Sequence, residues 1–195
     1  MFSRYAFLAV ILLGVTSVYL VSARGWRRSV IALALQYLAA FWLVALVFPM
    51  GLALIKLVVG WMSCAILAST PEKVPPEDVN QRDWAVWVFR ILAAVLVWIV
   101  VISVLPGVTV WLPIRAEFIL GGLGLIGLGL LQLGMTNRPL RVVVGILTAL
   151  TGFEILYANV ELSVLVSGLL AIITLGLALV GAYLAVAAEM GEEPS

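Results

Sequence analysis

Residues 85–105 form the sequence AVWVFRILAAVLVWIVVISVL, an apolar stretch that contains one charged residue, Arg90. A helix of about 20 apolar residues is long enough to cross the hydrocarbon core of a bilayer. Other apolar stretches fill most of the 195-residue chain on both sides of this one, so little sequence remains to build a soluble domain. The predicted membrane-spanning helices cover residues 5–21, 30–48, 52–68, 85–105, 118–135, 142–158 and 164–187.

The composition of the whole chain supports the same conclusion. Hydrophobic residues make up 65% of the sequence, charged residues 11%, and the mean hydropathy is +1.23. Soluble domains average about half apolar and about a quarter charged residues. Because helices satisfy their own backbone polar groups in lipid, the predicted fold class is an all-α, polytopic membrane protein with seven transmembrane helices.

The residue inventory argues against several classes of function. The net charge is +1, which gives no case for nucleic acid binding, and the chain has no histidine for haem or zinc ligation. The single cysteine, Cys64, lies in an apolar stretch and is expected to be a small core residue. Because no nucleophile–base set or carboxylate pair is evident, we expect no catalysis by this chain alone, no metal, no cofactor and no soluble small-molecule substrate.

Basic residues predict the orientation in the membrane. Arg4 and Arg115 lie on one side of the predicted bundle. The other side carries Arg24, Arg27, Arg28, Lys73, Arg82, Arg138 and Arg141. The positive-inside rule places the second group in the cytoplasm. The sequence therefore predicts a multi-pass protein of the inner (plasma) membrane, with its N-terminus outside and its acidic C-terminus in the cytoplasm.

The two ends of the chain have the same predicted layout. A short basic loop joins the first helix to the second in each half, RGWRR at 24–28 and NRPLR at 137–141. Parallel repeats of this kind occur in membrane proteins. We therefore expect a first three-helix repeat at 1–69, a cytoplasmic loop at 70–84, a linker helix at 85–105, a second repeat at 106–187 and an acidic tail at 188–195. Pro106 and Gly107 are expected to end the linker helix, and residues 49–51 to form a tight turn.

Three ionisable residues lie within the predicted helices, namely Lys56, Arg90 and Glu154. Charged residues are costly in lipid and often functional. Arg90 is close enough to the cytoplasmic end of its helix to serve as an anchor at the headgroups or as an interface charge. Glu154 and Lys56 have similar predicted depths, so they form a buried ion pair, meet partners in other subunits, or belong to a proton or ion pathway.

Small residues recur at helical spacing in two stretches. Residues 122–127 match the dinucleotide-binding pattern G-x-G-x-x-G, but they lie inside a predicted membrane helix and not between a strand and a helix. The pattern instead favours close helix packing. The predicted packing residues are Gly121, Gly124 and Gly127 in the fifth helix and Ser163, Ser167 and Ala171 in the seventh.

Two motifs resemble a known family. The basic loop NRPLR at 137–141, followed by GFEIL at 152–156, resembles the K subunit of respiratory complex I. With LIKLV at 54–58, the seven-helix layout is similar to component E of the formate hydrogenlyase-type membrane hydrogenases. The resemblance implies partnership with other integral membrane subunits and a role for Glu154 in moving protons. The second glutamate that the K subunit has on its following helix has no counterpart here, because residues 164–187 contain no acid.

The favoured function is therefore a non-catalytic subunit of a larger energy-converting membrane complex of the complex I, hydrogenase or cation-antiporter kind. It would support or contribute to proton or cation translocation, with Glu154 and Lys56 as the residues involved, and would contact lipid and other membrane subunits. Two alternatives stay open. One is a purely structural subunit of another membrane machine, and the other is a free-standing small transporter or channel.

Overall fold

A computed structural model describes residues 2–23, 25–70, 84–112, 114–161 and 163–191, and the side chains between 6 and 187 within those ranges. These residues form seven helices and no strand. The helices are α1 Phe2–Ser22, α2 Trp26–Ala45, α3 Met50–Ser69, α4 Trp84–Trp111, α5 Ala116–Gly134, α6 Pro139–Val160 and α7 Val164–Gly191. Helices α2 to α7 are long and apolar enough to cross a membrane, while α1 has a shorter apolar stretch, Ala6–Ser22. The chain is an all-helical, multi-pass membrane protein.

The predicted end of the fourth helix is wrong. Helix α4 continues through Pro106 and ends at Trp111. Proline removes one backbone donor and leaves the carbonyl four residues earlier without its helical partner, a loss that membrane helices tolerate. The Thr109 hydroxyl donates a hydrogen bond to the Pro106 carbonyl at 2.9 Å, and the amide of Leu112 donates to Val108 at 2.9 Å. Residues 106–111 therefore extend the linker helix.

The turn between α2 and α3 lies earlier than predicted. Helix α2 ends at Ala45, and Pro49 precedes α3, whose first residues are Met50 and Gly51. The turn forms because the amides of residues 46–48 donate to the carbonyls of residues 43 and 44. Most of the predicted loop at 70–84, together with Arg24, Lys73, Arg82 and residues 192–195 of the predicted tail, lies outside the described residues.

Two hydrogen bonds show which helix ends share a side of the bundle. The indole Nε1 of Trp26 donates to the carbonyl of Leu67 at 3.1 Å, which joins the start of α2 to the end of α3. The Nη1 of Arg141 donates to the carbonyl of Ala23 at 3.3 Å, which joins the start of α6 to the end of α1. We call this end, where the first turns of α2 and α6 carry their arginines, the basic side, and the opposite end the far side.

The packing order places α2 and α6 between the other helices. Helix α5 packs most extensively against α6, and α1 packs against both α2 and α5. Helix α3 packs against α2 and α7, α6 also meets α7 and α2, and α4 lies against α5 and, less extensively, α1. Each of the first three helices thus contacts one of the last three, in the pairs α1 with α5, α2 with α6 and α3 with α7.

Glycines allow the backbones of α5 and α6 to touch. A Cβ added to Gly122 would lie 2.9 Å from the carbonyl oxygen of Gly152, and one added to Gly129 would lie 2.7 Å from that of Gly145. On each helix the two glycines are seven residues apart, so they lie on one face. Close backbone approach of this kind is the usual way in which membrane helices pack tightly.

The glycines singled out from the sequence lie on other faces of α5. A Cβ on Gly121 would meet Leu43 of α2 at 3.1 Å. Similar additions at Gly124 and Gly127 would meet side chains of α4, Trp98 at 2.7 Å and Val97 at 2.6 Å respectively. The lack of a Cβ at these three glycines therefore leaves room for bulky side chains of α2 and α4.

The predicted packing residues of α7 lie in two places, one just before the start of the helix and the others along its packed length. The Ser163 hydroxyl precedes α7 and accepts a hydrogen bond from the amide of Val166 at 3.4 Å. Ser167 is buried and Ala171 is half-buried. The buried face continues to Thr174, whose carbonyl accepts a hydrogen bond from the Ser63 hydroxyl of α3 at 3.4 Å. Ser167 and Thr174 thus belong to the buried side of α7.

Candidate functional site

Lys56 of α3 and Glu154 of α6 meet inside the bundle. The Nζ of Lys56 lies 3.4 Å from Oε2 of Glu154, and the two side chains are only 9% and 11% exposed. Each residue is six positions from the far-side end of its helix, which corresponds to a depth of about 9 Å along the axis. Of the alternatives that the sequence left open, the structure contains an ion pair within this chain.

The surroundings of the pair are mostly apolar. Tyr37 of α2 and Thr151 of α6 are the polar neighbours that line the same small cavity, of about 10 Å³. This volume is at the lower limit for one water molecule. Gly60 makes room for the Tyr37 ring, because a Cβ at Gly60 would lie 2.5 Å from that ring. The pair therefore lies in a tightly filled space.

The geometry leaves the Lys56 ammonium with unused hydrogen-bonding capacity. Its 3.4 Å contact with Glu154 is an ion pair, and within the described residues the ammonium has no acceptor in hydrogen-bonding geometry. An ammonium carries three donors, and an ionised carboxylate can accept several hydrogen bonds. The ammonium can consequently donate a hydrogen bond to a water molecule held beside the pair.

A second polar cluster lies at the basic side. Arg90 of α4 is half-buried and lines a pocket of about 20 Å³ together with Ser29 of α2, Gln132 and Thr136 near the end of α5, and Arg141 of α6. The sequence identified Arg90 by its charge but missed Gln132, which is uncharged. The structure places Arg90 among polar side chains of the neighbouring helices.

Three buried polar side chains lie at membrane depths between that of the basic-side cluster and that of the ion pair. The Ser17 hydroxyl of α1 is 3.4 Å from Oε1 of Gln36 on α2. Thr148 is seven residues after Arg141 and six before Glu154 on α6. Within the described residues, Nε2 of Gln36 and Oγ1 of Thr148 are buried without a hydrogen-bond partner. Polar residues in an apolar stretch were the signal that could have identified these positions.

Comparison with protein families, with characterised proteins and with solved structures finds no match to this chain. The site is therefore interpreted from its own geometry. An ion pair lies near the far side, a polar cluster lies at the basic side, and buried polar side chains occupy the heights between them.

Proposed function

We propose that this chain is a non-catalytic integral membrane subunit of a larger energy-converting complex and that it contributes to proton or cation translocation. The observation that carries the proposal is the Lys56–Glu154 ion pair, which is buried among apolar helices. Ionisable residues within membrane helices are expensive and frequently mark ion or proton paths. The similarity of residues 137–141 and 152–156 to the complex I K subunit supports the same assignment.

The succession of polar groups along α6 supports a path rather than an isolated pair. Arg141, Thr148, Thr151 and Glu154 extend over about 20 Å of the helix axis. Buried polar atoms that lack a protein partner are commonly hydrogen-bonded to ordered water. Water at Gln36 and Thr148 would connect the basic-side cluster with the ion pair, and neighbouring subunits would supply the remaining groups.

The same proposal includes a duplicated architecture and an orientation. Within each half the helices pack in chain order, α1 against α2 and α2 against α3, and likewise α5 against α6 and α6 against α7, which is an arrangement that two equivalent halves would share. Helix α4 lies outside this arrangement and would return the chain to the far side. By the positive-inside rule, the basic side faces the cytoplasm, and α1 is the seventh spanning helix.

A specific observation also favours a second candidate, a purely structural subunit. The charge of Glu154 is compensated within its own chain, in a cavity with room for about one water molecule. In that case the pair fixes how α3 and α6 pack, and moves nothing. Its loss would weaken the assembly of the complex without acting on translocation directly.

One experiment separates the two candidates. The tagged chain is purified from its native membranes in mild detergent, the accompanying subunits are identified, and the complex is reconstituted into vesicles for a translocation assay. If Glu154 carries protons, Glu154→Gln should reduce translocation per assembled complex, and the double variant Lys56→Met with Glu154→Gln should not restore it. If the pair is structural, Glu154→Gln should lower the yield of complex, and the double variant Lys56→Met with Glu154→Gln should restore both yield and translocation.

Glu161→Gln is the matched control because it removes an exposed carboxylate just beyond the end of α6. It should leave both assembly and translocation unchanged. A Glu154→Gln complex that assembles and translocates normally would contradict both roles. Purification of the chain without any other subunit would contradict the proposal that it belongs to a larger complex.

A further inference from the structure

A deep apolar groove runs between α1 and α4. Its volume is about 1140 Å³, far larger than the cavities at the ion pair or the basic-side cluster. Val15 and Val18 line its α1 wall, and Ile91 and Trp98 line its α4 wall. Arg28 and Trp84 line the end of the groove at the basic side, which we call its mouth. The groove therefore opens both to the hydrocarbon and to one membrane surface.

Trp98 closes the inner end of the groove. Its indole fits between two glycines, since a Cβ on Gly14 of α1 or on Gly124 of α5 would lie 3.1 Å or 2.7 Å from it. From Trp84 to Trp98 the groove extends about 21 Å along α4, which matches one leaflet and its headgroup region. A spanning helix covers about 30 Å of hydrocarbon, so the groove matches only part of its length. The length of the groove thus fits the acyl chains of one leaflet better than a helix that crosses both leaflets.

The mouth of the groove has the chemistry of a headgroup site. Arg28 is exposed in the first turn of α2, and guanidinium groups bind phosphate through charge-assisted hydrogen bonds. The rings of Trp84 and Trp87 lie 5.5 Å apart, and Trp84 is 72% exposed. Indoles favour the depth at which lipid headgroups meet the acyl chains.

We propose that this groove binds an anionic phospholipid of the leaflet on the basic side. The acyl chains lie between α1 and α4 as far as Trp98. The phosphate lies beside Arg28, and the indoles of Trp84 and Trp87 contact the glycerol region. This proposal is independent of the function of the ion pair.

Native mass spectrometry of the whole chain in mild detergent tests the headgroup contact. Phosphatidylglycerol and phosphatidylcholine with identical acyl chains are added in equal amounts, and the lipid that remains bound is counted. We expect a preference for phosphatidylglycerol that Arg28→Gln reduces about fivefold, because one basic residue near the surface contributes on that scale. Arg27→Gln is the matched control: this exposed neighbour does not line the groove and should keep the preference. Equal losses in the two variants would overturn the assignment to Arg28.

A second pair of variants tests the acyl-chain contact. Val15→Trp should fill the groove and reduce the retention of both lipids, whereas Leu8→Trp should not, because Leu8 is similarly exposed on α1 but lies beyond the inner end. A photo-crosslinking residue at position 15 should give adducts with the mass of a phospholipid in native membranes. Undiminished lipid retention by Val15→Trp, or crosslinks to another polypeptide in place of lipid, would overturn the proposal.

Discussion

Gly122 of α5 and Gly152 of α6 face each other so closely that a Cβ on Gly122 would lie 2.9 Å from the carbonyl oxygen of Gly152. This contact is part of the most extensive helix pair in the molecule. Neither backbone can move away without separating α5 from α6. The contact therefore makes the stability of the bundle sensitive to a single methyl group.

Gly152→Ala should lower the free energy of unfolding by about 1–3 kcal/mol, since overpacking at a tight contact carries that cost. The measurement is denaturant unfolding in detergent micelles. Gly168→Ala on α7 is the control: a Cβ there meets no atom within 4 Å, so the higher helix propensity of alanine should leave stability equal or slightly higher. A loss of the same size in both variants would contradict the packing argument.

Removal of one charge from the Lys56–Glu154 pair should be more damaging than removal of both. Lys56→Met or Glu154→Gln alone should reduce the free energy of unfolding by about 3–5 kcal/mol, because the remaining buried charge loses its partner. The double variant should recover most of this loss. The four proteins form a double-mutant cycle that can be measured by denaturant unfolding.

The exposed pair Arg115–Glu117 provides the comparison for that cycle. Its atoms are 3.2 Å apart, but the Arg115 side chain is 50% exposed. Arg115→Gln should therefore cost less than about 1 kcal/mol. Additive effects at Lys56 and Glu154, with no recovery in the double variant, would show that the two charges do not stabilise each other.

Trp26→Phe should destabilise the basic side. The substitution removes a buried hydrogen bond from the indole to the carbonyl of Leu67, which typically contributes about 1 kcal/mol. Thermal unfolding in detergent should show a lower midpoint for Trp26→Phe than for Trp111→Phe, since Trp111 is 87% exposed at the end of α4. Equal midpoints would mean that the hydrogen bond contributes nothing to stability.

Labelling of introduced cysteines should establish the orientation. In a variant without Cys64, cysteines at Arg27 and at Asp78 should resist a membrane-impermeant thiol reagent in intact cells, because the basic side should face the cytoplasm. A cysteine at Val110, which is 82% exposed near the opposite end of α4, should react. Reaction at Arg27 or protection at Val110 would reverse the proposed topology.

The positions of the membrane helices are predicted well from the sequence, because the length of an apolar stretch and the constant rise of a helix largely determine where each one begins and ends. The depths of Lys56 and Glu154 could be estimated in the same way. Their contact could not, because it depends on which faces of α3 and α6 turn toward each other. Pro106 was misjudged for a related reason: its usual helix-breaking effect is weaker in lipid, where ending the helix exposes unsatisfied backbone groups.

The packing faces were harder to predict than the helices. Helix α5 has glycines on several faces. The spacing that selects Gly121, Gly124 and Gly127 does not indicate which of these faces packs against the backbone of another helix. Gly122 and Gly129 make the closest approach because they are the glycines that face the backbone of α6. Gln36, Gln132 and Thr148 were missed because they carry no charge, and charge within an apolar stretch was the signal that identified the ionisable residues.

The continuation of α4 beyond Pro106 bears on how the protein fits bilayers of different thickness. Its 28 residues give a length of about 42 Å, close to the full bilayer with its headgroups and well above the hydrocarbon core alone. Trp84 and Trp111 stand at its two ends, where indoles hold a helix at the interfaces. In a thinner membrane α4 must tilt or the surrounding lipid must stretch, so hydrophobic matching along this one helix would favour thicker membranes for the whole protein.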